Sequence, residues 1–130
     1  MPDDALGSGN VSRFLDFLYD RTDENLRAVM IYADEGYRHL HLREDVRARY
    51  TDEELDDIAD LFRDAGGDRS DQERRFDAGG LESTVYVFDD AIVVLLPRDD
   101  RTGAAVSLDR TVGSSLFSFV VAAREHLYGS

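Results

Sequence analysis

Apolar positions change their period several times along the chain, and each change marks an element. Val11, Phe14, Leu15, Phe17 and Leu18 recur at helical spacing and predict a helix over 11–22, with Asn10 as its N-cap. From Leu26 to Ala33 the apolar residues fill both alternations, which predicts a strand covered on both faces. Asp34-Glu35-Gly36 reads as a hairpin turn, with Gly36 able to take positive φ. Tyr37 to Arg43 then alternates. Leu40 and Leu42 are expected on one face and His39 and His41 on the other, in a half-exposed edge strand. Thr51 followed by Glu54 predicts a capping box, and Leu55, Ile58, Ala59, Leu61 and Phe62 give the helix behind it an apolar stripe that ends at Gly66-Gly67. Residues 67–81 lack any period and are expected to form a long loop.

The rest predicts a meander and a final helix. Strands are expected at Ser83–Phe88, Ala91–Leu96 and Ala104–Leu108, separated by turns at Asp89-Asp90 and Arg98–Gly103. Asp109 is expected to cap a long helix to about Leu127, with Val112, Leu116, Phe119, Val120, Ala123 and Leu127 on one stripe. The predicted fold class is α+β: a five-stranded, mainly antiparallel sheet flanked by three helices, in the order α-β-β-α-β-β-β-α. Residues 1–10, polar and Gly-rich, are expected to be a flexible tail, and 11–130 a single domain.

Composition narrows the function. The 130 residues carry 28 acids against 15 bases, a net charge of −13, and every base is Arg. Asp outnumbers Glu by 20 to 8. This balance resembles proteins of salt-accumulating haloarchaea. In molar salt the Debye length falls to about 3 Å, so such a charge repels itself little. Nucleic acid is not an expected partner, because Arg43, Arg47, Arg49 and Arg74-Arg75 are interleaved with acids instead of forming a basic face. An anionic membrane is disfavoured for the same reason. No apolar run is long enough to span a bilayer, and Met1-Pro2-Asp3-Asp4 does not look like a signal peptide, so the expected location is the cytoplasm.

Catalytic chemistry finds few candidates. With no cysteine, thiolate metal sites and cysteine nucleophiles are excluded. His39 and His41, two apart in a strand, would share a face and could hold one metal ion, but a third ligand would have to come from Asp34, Glu35 or Glu44; the expectation is packed histidines and no metal. Ser114-Ser115 falls inside a predicted helix, and Gly79-Gly80 is not followed by Lys, so neither a nucleophile elbow nor a phosphate loop is present. No catalytic residue and no cofactor is expected.

The element order, and the stretch from Thr84 through the small-residue strand Gly103-Ala104-Ala105-Val106 to the helix after Asp109, resemble the roadblock (dynein light chain) family. A second resemblance is to uncharacterised haloarchaeal proteins of this size. The roadblock resemblance implies a non-catalytic module that pairs through helices and sheet edges, with a small GTPase or signalling protein as a further partner. The chain itself, or a similar chain, is then the first expected partner. The interface expected from this is the third strand, with Val85, Tyr86, Val87 and Phe88, beside the second helix, with Leu55, Ile58 and Phe62. The alternative is a small-molecule-sensing domain of PAS-like type, for which a cavity lined by Tyr86, Phe88 and Phe117 would speak.

Overall fold

The computed structural model describes residues 8–113 and 126. Helix α1 (Ser8–Thr22) leads through a 3-10 turn (Asp23–Asn25) into strands β1 (Leu26–Ala33) and β2 (Gly36–Leu42). A short helix α2 (Glu44–Arg47), helix α3 (Asp52–Gly67) and helix α4 (Arg69–Phe76) come next. Strands β3 (Thr84–Val87), β4 (Ile92–Pro97) and β5 (Gly103–Leu108) complete the sheet, and a 3-10 turn (Arg110–Gly113) comes after it. All neighbouring strands are antiparallel, in the order β2-β1-β5-β4-β3. The fold is the expected α+β arrangement on an open five-stranded sheet. The predicted long C-terminal helix lies outside the described residues, except that His126 is helical.

The sheet is covered on both sides. Leu18 of α1 packs with Leu26, Val29 and Val106 on one face. Ala59 and Phe62 of α3 pack with Met30, Tyr32, Leu95 and Ala105 on the other. The doubly apolar run in β1 is thus accounted for: Val29, Met30, Ile31 and Tyr32 are all buried. Helix α3 starts as its sequence dictates. Thr51 Oγ1 accepts from the Glu54 amide, and the Glu54 carboxylate accepts from the Thr51 amide.

Several expectations need correction. Helix α1 begins at Ser8, so Asn10 lies within it and does not cap it. Phe17 and Leu61 belong to no core: both are exposed, Phe17 beneath the Arg21 guanidinium. Gly36 is the first residue of β2, paired with Ala33, and does not have positive φ; the loop is just Asp34-Glu35. The expected loop over 67–81 contains α4. That helix has no buried residue, and its register is held by Asp71, which pairs with both Arg74 and Arg75 one turn on. Asp77 closes it in the left-handed conformation. Asp109 does not lead directly into an α-helix, since a 3-10 turn comes next and both its carboxylate oxygens accept from Arg43.

Two β-bulges lie at the same end of β1. On the β5 side Leu26 pairs with Leu108 and Ala28 with Ser107, so Arg27 is the extra residue. On the β2 side Val29 pairs with His41 and Met30 with His39, so Leu40 is the extra residue. Each bulge resets the alternation of its strand.

Candidate functional site

The first bulge turns Arg27 inward. By plain alternation it would share the α1 face with Val29. Instead it stands with Ala28 and Met30 on the α3 face. It is buried, with an exposure of 8%. The Arg27 Nε donates to Ser107 Oγ at 3.1 Å, and its two Nη groups have no hydrogen-bond partner among the described residues. The nearby Asp109 carboxylate feels the charge of Arg27 but is occupied by Arg43, whose hydrogen bonds hold it below the usual carboxylate range.

Arg27 borders a chamber of about 100 Å³ between the sheet, α2 and α3. Its walls are Met30, Leu42, Val46, Leu55, Ile58, Phe62, Val93 and Ala105, with His39, Tyr50 and Ser107 as the other polar-tipped residues. Arg27 is the single charged side chain in this wall. Arg27, Tyr50, Val93 and Ser107 also border an outer cleft of about 350 Å³ that reaches Arg49, Phe88, Asp89 and Asp90. Burial, with a smaller contribution from the Arg47 charge, lowers the His39 pKa below the ordinary imidazole value.

The second bulge separates the two histidines. His39 lines this chamber and meets the Tyr37 ring edge-on. His41 belongs to the opposite side, where Nδ1 lies 3.1 Å from the Tyr19 hydroxyl of α1 and Nε2 lies 3.1 Å from the Leu26 carbonyl. Leu40 and Leu42 diverge in the same way, towards the α1 cluster and the chamber respectively. The shared face on which a two-histidine metal site depends does not exist.

The residues expected at an interface are distributed unevenly. Leu55 and Phe62 are buried within the protomer itself and Ile58 is half-buried against the same core, so α3 offers little of this stripe to a partner. The strand β3 is an edge, at the opposite end of the sheet from β2. Val85 and Phe88 are exposed, at 42% and 56%. Tyr86 is half-buried against the α3 face and stacks on Phe88, and Val87 is half-buried. Neither Tyr86 nor Phe88 lines the inner chamber, and Phe117 lies outside the described residues. The residues that sequence reasoning missed are Arg27 and Ser107. A single Arg inside an otherwise apolar strand is the one signal that could have found them.

A second arginine is deeply placed for a structural purpose. Arg63 of α3 donates to the carbonyls of Ala33 and Gly36, at 2.6 and 2.8 Å, and to Asp60 at 2.7 Å. Tyr37 donates to Asp56 at 2.5 Å, and its pKa is pushed up to about 12 by burial and by that bond. Among the described residues no group of His, Asp and Glu is placed to hold a metal ion, and no helix is long and apolar enough to cross a membrane.

The chain belongs to the family described as Domain of unknown function (DUF7522), whose sequence profile matches residues 12–128. No curated protein matches the chain.

Proposed function

We propose that this member of the family is a non-catalytic interaction module of a salt-rich cytoplasm, which pairs with itself or with a similar chain through the outer edge of β3. The observation that carries the reading is that edge. The strand β3 is hydrogen-bonded to β4 alone, has no charged residue from Thr84 to Phe88, and leaves Val85 and Phe88 exposed. An uncharged apolar edge invites a further strand unless something covers it. A two-fold axis beside β3 would extend the sheet across both protomers and cover Val85 and Phe88. A small GTPase or signalling protein as a further partner is implied by the roadblock resemblance of the sequence.

Light scattering in molar KCl tests the pairing. The expected mass is twice the 14.7 kDa of one chain. Val87→Lys puts a charge into the seam and is expected to give monomers or insoluble protein. A wild-type particle of single-chain mass at high concentration would sink the dimer. The alternative reading, a ligand-sensing domain of PAS-like type, has its own support in the chamber behind Arg27.

A further inference from the structure

Arg27 is a buried residue that uses one of its five N–H donors among the described residues, Nε to Ser107; its Nη groups have no such partner and keep some solvent access. Taking a guanidinium out of water costs several kcal/mol unless an opposite charge or a full set of acceptors compensates it. Arg63, similarly buried, has that set in two backbone carbonyls and Asp60. Arg27 has one hydroxyl, and the Asp109 carboxylate that feels its charge is held by Arg43. A β-bulge is what brings it there, and bulges commonly re-aim a side chain beside a site.

The space in front of Arg27 has two characters. Inward it is apolar, bounded by Met30, Ile58, Phe62 and Ala105. Its 100 Å³ is somewhat less than the roughly 150 Å³ that holds benzene in an apolar core. On its outer side Arg27, with Tyr50, Val93 and Ser107, also borders the wider cleft. We propose that this chamber binds a small organic monocarboxylate, its carboxylate forked onto the Arg27 Nη groups and its short apolar body against Ile58 and Phe62. The planar guanidinium matches a carboxylate, and the apolar walls reject a hydrated inorganic anion. Ser107, which fixes Nε, is a positioning residue. This site rests on the ligand-sensing reading and does not depend on the β3 seam.

The test uses the full chain in molar KCl and a panel of butyrate, pentanoate, pentanamide and pentanol, read by calorimetric titration and by thermal shift. Pentanoate and butyrate are expected to bind and to raise the melting temperature, while the neutral analogues of the same shape do not. Arg27→Gln is expected to weaken pentanoate by about tenfold or more, the scale of a lost charge-assisted hydrogen bond. Ile58→Trp, at a half-buried position, fills the chamber and is expected to abolish binding while leaving the circular dichroism unchanged; it decides the matter should Arg27→Gln fail to fold. Equal binding of pentanoate and pentanamide would reduce the chamber to an apolar void, and no binding of any of the four would overturn the proposal. Light scattering of the same samples keeps the two readings apart, since loss of the dimer with ligand binding intact would remove the seam alone.

Discussion

Arg63 and Tyr32 show how differently two buried polar groups act. Two of the three groups that Arg63 serves are backbone carbonyls of the β1–β2 hairpin, so the side chain ties α3 to that hairpin. Arg63→Leu is expected to lower unfolding stability by about 2–4 kcal/mol, read as a shift of the urea midpoint at constant slope. The Tyr32 hydroxyl is buried with no hydrogen-bond partner among the described residues, and burial is the chief reason its pKa is pushed up to about 12. Tyr32→Phe removes an unsatisfied group and keeps the ring beside Phe62, so stability is expected to stay level or to rise by about 1 kcal/mol. His39 gives a pH signature. Its folded-state pKa lies below its ordinary value, so the unfolded chain takes up the proton first as pH falls. The stability it contributes is complete above about pH 6.5 and is lost progressively below it, until the folded imidazole protonates too. His39→Leu is expected to flatten that part of the stability profile, and an unchanged slope would show that burial of His39 is not its source.

At the scale of elements, close approach decides where small residues must stand. A Cβ on Gly103 would lie 2.6 Å from the Tyr32 hydroxyl, 2.7 Å from the Leu96 carbonyl oxygen and 2.9 Å from the Pro97 Cα. Two of those three neighbours are backbone. Gly103→Ala is therefore expected to destabilise by about 1–3 kcal/mol, and Tyr32→Phe in the same chain is not expected to rescue it, because the Leu96 and Pro97 contacts remain. The elements themselves are largely legible in the sequence. The capping box of Thr51 and Glu54 is local chemistry written in two residues, and the apolar runs of β1 and β5 report burial directly, whereas the equally apolar β4 is fully buried only at Ile92 and Leu95. The helix α4 is not legible, since it has no buried apolar face and its order comes from Asp71 paired with two arginines. Nor are the bulges: one extra residue in a strand leaves no mark in composition, yet it sends His39 and His41 to opposite faces and brings Arg27 inward. Arginine reads as surface by residue type, and only the sheet and α3 place Arg27 and Arg63 inside.

At the scale of the whole molecule, a net charge of −13 on 130 residues is a source of self-repulsion in the compact state. Ion pairs such as Arg43 with Asp109 and Arg101 with Asp34 neutralise a few acids, but the excess stays uncompensated. Salt screening removes that repulsion, so the melting temperature is expected to rise by well over about 5 °C between roughly 0.1 M and 3 M KCl. Equal midpoints would mean that the charge is borne without help from salt. The anchoring of α3 has a mechanical meaning as well. Near its C-terminal end Arg63 grips the hairpin at Ala33 and Gly36, and Gly66 sits so close to the β4–β5 loop that a Cβ there would come 2.9 Å from the Asp100 carbonyl oxygen. Leu55 and Ile58, nearer its N-terminal end, border empty space. Arg63 and Gly66 therefore pin the C-terminal half of the helix through backbone, while its first half is tied by side chains alone, Tyr37 to Asp56 and Arg47 to Asp52. Amide exchange should register that division: Arg63→Leu is expected to speed exchange over the second half of α3, and Tyr37→Phe over the first.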